Sequence, residues 1–323
     1  MLKARHHYVP QSHLRRFSGD GKKLWVFDKP TMQAFRASVR DVAQQQNYYR
    51  LRPKSSEGCP TATDLAEEVF SEVEAEVSPI IDEIVCVVRR GGRVSEKVRA
   101  PLSEYLALQC LRVPGVRSSY VQAHQKVLNA VKDLYMMHKM PDVDPSKYRV
   151  DLGPGGAQAT HLSGVFDEKT IRTIVAHMRR HIWLFRHNEV EAPLYTSDAP
   201  LALIPCPEAP DIPVGFGSWG ASVAVPLSSD VLLTMHDRRY YRDLEPIDSC
   251  TTPFREGEAT FYNSIQVYYS TRQVYCERDD FAVARDVCGR FAEICDPDRG
   301  AFDVVGWDGS TPRALNRETN LGQ

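Results

Sequence analysis

The sequence lacks any hydrophobic run long enough to cross a membrane. No segment of its 323 residues approaches the roughly 18 to 20 consecutive apolar residues that a transmembrane helix needs. The N-terminal segment is basic, and it has no apolar core of the kind that a secretory signal requires. We therefore expect a cytoplasmic protein without a membrane partner.

Closely spaced cysteines are also absent. The chain has 8 cysteines and 10 histidines, but no two cysteines have the spacing of roughly two to four residues that is typical of a zinc knuckle. Cys86 and Cys110 lie inside apolar segments, where a free thiol usually packs as a small hydrophobic side chain. Disulfide frameworks belong to small secreted chains. We predict buried structural thiols, with reactive or metal-bound thiols as the alternative.

Neither sign of charge dominates the composition. The 40 basic side chains stand against 42 acidic ones, which gives a formal net charge of -2 at pH 7. Without a global positive field, a nucleic-acid partner would need a local basic patch. Hydrophobic residues make up 42% of the chain, which favours a folded globular protein over a disordered one.

The hydrophobic patterns follow one another in the order expected of an α+β protein. Aromatic and β-branched runs in the first fifty residues predict short strands, and apolar runs between about 181 and 236 predict a small, mostly antiparallel sheet. Pro79 should kink or divide the first helix of the middle section. Helical periodicity marks that section and the C-terminal part, over residues 64–90, 95–112, 118–140, 167–180, 256–269 and 280–294. A loop rich in Pro, Asp and Gly is predicted after the third of these helices, through Gly156.

No internal repeat or low-complexity linker divides the chain. We predict one compact α+β domain over residues 1–295 and a loosely ordered tail over 296–323. The chain also lacks the P-loop, the G-x-G-x-x-G fingerprint, the G-x-S-x-G elbow and the H-E-x-x-H helix. A functional site must therefore be sought among polar residues that interrupt apolar segments.

The first such residues lie in the N-terminal segment RHHYVPQSHLRRF. If HHYV forms a strand, His6 and Tyr8 face one side of it, and His7 and Val9 face the other. The segment suits a solvent-exposed basic edge strand and a surface for a phosphate-rich partner equally well. Because an imidazole titrates near pH 6.5, His6 is a candidate general acid or base.

Two carboxylates lie seven residues apart on the first predicted helix. This spacing places Glu67 and Glu74 on one helix face, about 10.5 Å apart along the axis. An inward-facing pair needs an arginine, another cation or a metal to offset the cost of burial. Exposure to solvent is the simpler alternative for each carboxylate.

Polar residues also interrupt the apolar segment ALQCLRVPGVR. Gln109 and Arg112 lie three residues apart on one helix face, and Arg117 begins the next helix. Two guanidinium groups that converge at this corner can clamp a phosphate or a carboxylate. Alternatively, they form an internal ion-pair hub with Glu67 or Glu74.

The segment PLYTSDAP places Ser197 and Asp198 directly after a short strand. Residues at strand ends often belong to functional sites because the strand supports them rigidly. The same Ser-Asp-x-Pro pattern is equally typical of a plain turn. Asn263, on the helix after the sheet, and Ser228 complete the candidates.

Several of these motifs, in this order, resemble the bacterial and phage family called domain of unknown function 4238. The resemblance covers residues 6 to about 276 and lies in HHYVPQSHLRRF, LWVFDK, VRDVAQQQNYY, AEEVFSEVEAEVSP, ALQCLRVPGVR, TSDAP, AVPLSS and NSIQVYYSTRQVY. The chain departs from the family at Ser12 and His13, where an aromatic is usual, and at Ala199, where Asn is common. The resemblance implies no reaction. The positions that it implies to be characteristic are His6, Tyr8, Pro10, Glu67, Glu74, Gln109, Arg112, Asp198 and Asn263.

The first functional hypothesis is a hydrolase or transferase that acts on a phosphate-bearing substrate, nucleic acid or nucleotide. Its arginines would stabilise developing negative charge, and its carboxylates would orient water or hold a divalent metal such as Mg²⁺. The candidate catalytic residues are His6, Glu67, Glu74 and Asp198. The candidate substrate-binding residues are Tyr8, Gln109, Arg112, Arg117, Ser197 and Asn263.

Two other hypotheses use the same residues differently. In a non-catalytic binding or sensing module, of the kind that the resemblance would allow in phage defence, the polar set is a buried structural network. In a nucleic-acid-binding protein, the N-terminal segment and the paired arginines on the helices contact phosphates. Those arginines are Arg89, Arg90, Arg93, Arg179 and Arg180.

Overall fold

The protein is described here by a computed structural model. The residues that the structure describes are 5–49, 65–189, 192–210, 213–297, 305–307 and 312–314. Most of the predicted tail over 296–323 lies outside these residues, so its predicted loose order falls outside the described part of the chain. The described part of the tail is residues 296–297 and two three-residue strands, Val305–Trp307 and Pro312–Ala314, which pair with each other.

The N-terminal part consists of four short strands and one short helix. The strand β1 (Arg5–His7) pairs with β4 (Gln44–Gln46), and α1 (Gln11–Arg15) follows β1 directly. Between them, β2 (Lys23–Asp28) and β3 (Gln33–Ser38) form an antiparallel hairpin. Because β1 ends at His7, the predicted strand HHYV is shorter than its pattern suggested.

Five α-helices form the middle of the chain: α2 (Leu65–Arg89), α3 (Arg99–Leu111), α4 (Pro114–Lys139), α5 (Gly153–Val165) and α6 (Glu168–Arg180). Local capping fixes several of their ends. Gly91, at φ 68°, takes the left-handed conformation just after α2, and the Asp167 carboxylate accepts the N–H of Thr170 (2.9 Å) at the start of α6.

Three expectations for the helices need correction. The helix α2 is continuous through Pro79, so of the two expected effects of this proline, a kink or a division, the division does not occur. The helix α4 begins at Pro114, where a proline at the first helical position needs no N–H partner. Residues 153–156 begin α5, although their glycines and proline indicated a loop, because apolar residues further along the helix pack inward.

The C-terminal part contributes seven strands and two helices. Its elements are β5 (Ile182–His187), β6 (Thr196–Ser197), β7 (Ala202–Ile204), β8 (Ser222–Pro226), β9 (Val231–His236), β10 (Thr251–Pro253), α7 (Glu258–Tyr269), β11 (Gln273–Cys276) and α8 (Ala282–Arg290). A five-stranded sheet has the order β10-β5-β9-β8-β7 and is antiparallel except for the pair β10–β5. The α+β prediction with a mostly antiparallel sheet is confirmed.

A second sheet joins the two ends of the chain. It is antiparallel with the order β3-β2-β11-β6, and β11 lies beside β2 with Cys276 opposite Trp25. The N-terminal hairpin therefore shares hydrogen bonds with a strand that lies some 250 positions later in the sequence.

The main core lies between α2, α3, α6 and the five-stranded sheet. Alternate residues along β5, β8 and β9 point to the same face of that sheet, and those that enter this core include Trp183, Phe185, Val223, Val225, Leu233 and Met235. Residues of opposite parity, such as Ala224 and Leu232, pack with Leu194 on the other face. Burial on both faces explains why these strands read as continuous apolar runs.

The prediction of buried thiols holds at three described cysteines, holds in part at Cys110, Cys250 and Cys295, which are half-buried, and fails at Cys86. Cys206, Cys276 and Cys288 are buried free thiols, whereas Cys86 is exposed although it lies in an apolar segment of α2. Its helix face points away from the core because α2 buries Val85 and Val88 instead. None of the described helices is long and apolar enough to cross a membrane.

Candidate functional site

The two adjacent N-terminal histidines have different environments. His6 is buried, its Nδ1 accepts the N–H of Tyr49 (2.9 Å), and its ring stacks on the Tyr49 ring with centroids 5.7 Å apart. His7, on the opposite face of β1, lines an open cleft, and its Nε2, which is buried, has no hydrogen-bond partner among the described residues. Burial lowers the pKa of His7, so its imidazole is neutral at pH 7.

We call this opening the N-terminal cleft. It has a volume of about 400 Å³ and lies between the N-terminal segment and the first half of α2. Glu67 and Glu74 both border it, as their seven-residue spacing predicted. The full lining is His7, Gln11, Ser12, Arg15, Glu67, Ser71, Glu74, Ala75 and Ser78.

A buried arginine holds one wall of the cleft in place. Arg112 is 2% exposed, and it donates to the Oε1 atoms of Glu74 (2.7 Å) and Gln109 (2.6 and 2.9 Å). Its guanidinium group lies 4.9 Å from the centroid of the Phe70 ring. Gln109 in turn donates to the backbone oxygen of Tyr8 (2.9 Å). This chain of contacts ties α2, α3 and the N-terminal segment together.

Arg117 does not converge with Arg112 on an open site. It stacks on the Tyr48 ring, 4.7 Å from the centroid, and donates to the Tyr48 backbone oxygen (3.3 Å). Both guanidinium groups are thus committed to contacts within the protein. The anion clamp drawn from their spacing is not the arrangement that the described residues adopt.

Tyr49, which did not stand out in the sequence, packs against Phe70 of α2, with ring centroids 4.9 Å apart. Its ring is 1% exposed, and its hydroxyl has no hydrogen-bond partner among the described residues. Burial raises its pKa, and the charges of Arg112, Glu67 and Glu74 also act on it. Buried polar atoms without partners are rare in folded proteins and often mark functional positions.

The remaining candidates form a separate group, the Asp198 cluster. The carboxylate of Asp198, itself 1% exposed, accepts the N–H groups of Thr271, Arg272 and Gln273 at 2.7, 2.7 and 2.9 Å. Burial raises the pKa of Asp198, although these three donors lower it. The carboxylate closes the turn between α7 and β11, so its contacts are those of a structural residue.

The polar side chains near Asp198 also form hydrogen bonds within the protein. Ser197 donates from its hydroxyl to Gln266 (2.9 Å), and Asn263 receives the N–H of Tyr195 (2.7 Å) and donates to the oxygen of Pro193 (3.0 Å). None of these residues borders the N-terminal cleft. Tyr8 lies between the two groups, because its backbone oxygen binds Gln109 and the charge of Asp198 contributes to the raised pKa of its side chain.

The described residues do not offer a ready metal site. No group of three or more His, Cys, Asp or Glu side chains within the described ranges is placed to hold a metal ion. The carboxylate oxygens of Asp198 accept backbone N–H groups, and they lie away from Glu67 and Glu74. The titratable side chains that line the cleft are one imidazole, one guanidinium group and two carboxylates, those of His7, Arg15, Glu67 and Glu74.

A larger cavity, the arginine cavity, lies where the C-terminal end of α6 meets the turn after β9. Its volume is about 690 Å³. Two histidines, Phe216, Gly217 and two carboxylates line it together with five arginines, namely Arg179, Arg180, Arg238, Arg239 and Arg242. Adjacent arginine pairs in MRRH and DRRYYR are the sequence signal for this cavity. Only the first pair was among the predicted phosphate contacts.

The cavity and the cleft lie at opposite ends of α3. Arg99, the first residue of α3, donates to the oxygen of His181 (3.0 Å), which lines the arginine cavity. Arg112, just after the last residue of α3, binds Glu74 in the wall of the cleft. A helix of 13 residues is about 20 Å long, so the two surfaces are separate.

The fold and these surfaces define an α+β protein with a buried polar network beside one cleft and a basic cavity on another side. Over residues 5–280, the chain matches the model of the family described as a protein of unknown function, DUF4238. The chain belongs to this family, which confirms the resemblance seen in its motifs. Neither a curated protein nor a solved structure matches it.

Proposed function

We propose that the protein is a hydrolase or transferase of a phosphate-bearing substrate and that the N-terminal cleft is its catalytic site. One observation carries the proposal. The neutral imidazole of His7, with its Nε2 uncommitted, shares the cleft with the carboxylates of Glu67 and Glu74. A free imidazole nitrogen beside carboxylates is a common arrangement for general acid–base catalysis.

Each side chain has a part in this proposal. His7 takes the proton of the attacking water or hydroxyl group as its oxygen bonds to phosphorus, and it returns the proton to the leaving oxygen as the bond from that oxygen to phosphorus breaks. Arg15, an exposed cation on the cleft lining, meets the anionic substrate. Arg112 is a positioning residue, because it fixes the Glu74 carboxylate and has no exposed surface to offer a substrate. His6, the residue that the sequence favoured, supports the Tyr49 backbone instead.

The test is hydrolysis of a phosphodiester and a phosphomonoester, with bis(p-nitrophenyl) phosphate and p-nitrophenyl phosphate as probes. Replacing His7→Asn should lower turnover by about 10²- to 10⁴-fold, the usual contribution of a general base. His138→Asn, an exposed substitution near the end of α4, is the matched control. The proposal is wrong if the parent chain cleaves neither probe or if the His7 variant cleaves them at the parent rate.

Tyr49→Phe separates a catalytic role from a structural one. Removing a buried hydroxyl that has no partner costs no hydrogen bond, so stability should stay the same or rise. A fall in turnover with unchanged thermal unfolding supports the catalytic site. Unchanged turnover together with unchanged stability shows that the hydroxyl has no part in catalysis.

The second candidate function is a non-catalytic binding or sensing module. The observation that favours it is the full commitment of Arg112 and Asp198 to contacts inside the protein. In that case the polar set only joins the N-terminal segment, the helices and the sheets. Stability measurements distinguish the two candidates, because removal of a structural group costs folding free energy and removal of a catalytic group often does not.

A further inference from the structure

The geometry points to a second functional surface, on which the arginine cavity binds the phosphates of a single-stranded nucleic acid and Trp219 stacks on one of its bases. This surface is about 20 Å from the N-terminal cleft along α3, and it does not depend on the proposed catalytic activity. Three features of the described residues carry the inference: cations without acidic partners, a buried imidazole with one unpartnered nitrogen, and an exposed aromatic side chain next to an arginine of the cavity.

The cations of the cavity are only partly neutralised. Arg238 pairs with Asp248 and with Glu245 (3.5 Å), and Arg239 pairs with Asp237 (2.9 Å). Arg179, Arg180 and Arg242, in contrast, pair with no carboxylate among the described residues. Three guanidinium groups without acidic partners in one concave site favour a ligand with several negative charges.

His181 adds a buried polar atom to the same cavity. The side chain is 4% exposed, and its Nδ1 lies 2.6 Å from the backbone oxygen of His177, which makes Nδ1 the donor. Its Nε2 then carries a lone pair, and this atom has no partner among the described residues. A hydroxyl or N–H group of a ligand could donate to it. A simple inorganic anion would leave it unused.

The aromatic side chain lies next to one arginine of the cavity. Trp219 is 58% exposed, a large exposure for an indole, and the guanidinium group of Arg239 lies 5.7 Å from its ring centroid. Tyr240 supports the indole edge-on, with ring centroids 6.0 Å apart. Since Arg239 also lines the cavity, the indole and the phosphate-binding groups are close enough for neighbouring parts of one strand.

A short loop divides the cationic part of this surface from an apolar part. Phe216 and Gly217 face the arginine cavity, while Ser218 and Trp219 border a pocket of about 380 Å³. That pocket is mainly apolar, with Pro205, Cys206, Ala209, Pro213 and Val214 on its lining. A ligand that joins charged phosphates to flat bases matches this division, because bases stack on aromatic side chains whatever their sequence.

The basic surface also continues beyond the cavity, which favours a strand over a free nucleotide. A shallow groove of about 420 Å³ along α6 shares His177 and Arg180 with the cavity and adds Lys169 and Arg172. Glu168 neutralises Arg172 there. Lys169 and Arg180 thus extend the line of cations along the helix, as a phosphate backbone requires.

The test is fluorescence anisotropy of the full chain with a labelled dT12, an abasic 12-mer of the same length, and dTMP and tripolyphosphate as competitors. We expect dT12 to bind about ten-fold more tightly than the abasic strand, as one base–aromatic stack provides. Trp219→Ala should remove this difference and leave abasic binding unchanged. The matched control is Tyr135→Ala, which removes an equally exposed aromatic side chain on α4.

The cations are tested by salt and by substitution. The affinity for dT12 should fall with salt at a logarithmic slope of about -0.7 for each phosphate contact. The double variant Arg179→Ala, Arg180→Ala should weaken binding about ten-fold and flatten that slope, whereas Arg149→Ala, at an exposed arginine elsewhere, should do neither. Anisotropy measures strand binding and the p-nitrophenyl probes measure hydrolysis, so a failed catalytic proposal and a failed binding proposal are distinguishable.

Three results would overturn the inference. Equal affinity for dT12, the abasic strand and tripolyphosphate would show an unspecific anion site with no role for Trp219. Displacement of dT12 by dTMP at matching concentration would show a free-nucleotide site instead of a strand-binding surface. Absence of dT12 binding at low salt would remove the site altogether.

Discussion

Replacement of Arg112 by alanine provides the sharpest test of what the buried polar network does. The substitution removes a guanidinium group that is 2% exposed and that donates to Glu74 and twice to Gln109. It also removes the contact with the Phe70 ring and leaves a cavity between α2 and α3. All of these losses affect the folded protein alone.

The magnitude follows from what stays behind. Loss of one partner of a buried ion pair costs about 3–5 kcal/mol of folding free energy. Because the Glu74 side chain is 25% exposed and water can solvate it, we expect a cost near the lower limit of this range. The buried oxygen of Gln109, deprived of two donors, adds about 1–3 kcal/mol. We therefore expect Arg112→Ala to lower the free energy of unfolding by about 4 kcal/mol.

The assay is urea-induced unfolding followed by far-UV circular dichroism, with the same variants tested for phosphoester hydrolysis. Glu74→Gln, alone and combined with Arg112→Ala, completes a double-mutant cycle in which we expect a coupling energy of about 1–3 kcal/mol. Arg179→Ala, at an exposed position, should change stability by no more than about 0.5 kcal/mol. If Arg112→Ala costs less than about 1 kcal/mol while it abolishes activity, the structural assignment of this arginine is refuted.

Two further predictions concern acid stability and the Asp198 cluster. Burial lowers the pKa of His13 to about 3 and those of His161 and His236 to about 4, so the unfolded chain binds their protons at higher pH than the folded one. Stability should be complete above about pH 6.5 and fall towards pH 4 by about 1.4 kcal/mol per pH unit for each such histidine. Urea unfolding between pH 7.5 and 4.5 measures this, and a flat profile contradicts it. Asp198→Ala leaves three backbone N–H groups without an acceptor and should lower the free energy of unfolding by at least about 3 kcal/mol in the same assay. A variant that keeps its full stability but loses activity would contradict this structural role.

The helices show which ends can be predicted from local sequence patterns and which cannot. The start of α6 was predictable because Asp167 caps it, and the end of α2 because Gly91 follows it. The helix α5 was missed because its first turn, Gly-Pro-Gly-Gly, has low helix propensity, and packing of its later residues, such as Leu162 and Val165, compensates.

The candidate site was only partly accessible to the same reasoning. The seven-residue spacing of Glu67 and Glu74 correctly placed both carboxylates on one side of α2, where they border the cleft. Strand alternation correctly separated His6 from His7, but it could not say which of the two faces the core. That choice depends on how β1 and the Tyr48–Tyr49 segment pack on α2 and α3, which involves residues far apart in the sequence.

The sequence by itself determined the α+β class, most helix ends and the polar positions that interrupt apolar segments, because these depend on hydrophobic period, caps and turn residues within a few positions. The tertiary structure alone decided that β2 pairs with β11, that His7 and not His6 opens into a cleft, and that arginines on α6 meet those after β9. These outcomes depend on contacts between segments tens to hundreds of residues apart. Local propensity does not encode such contacts, since the same short pattern is compatible with many partners.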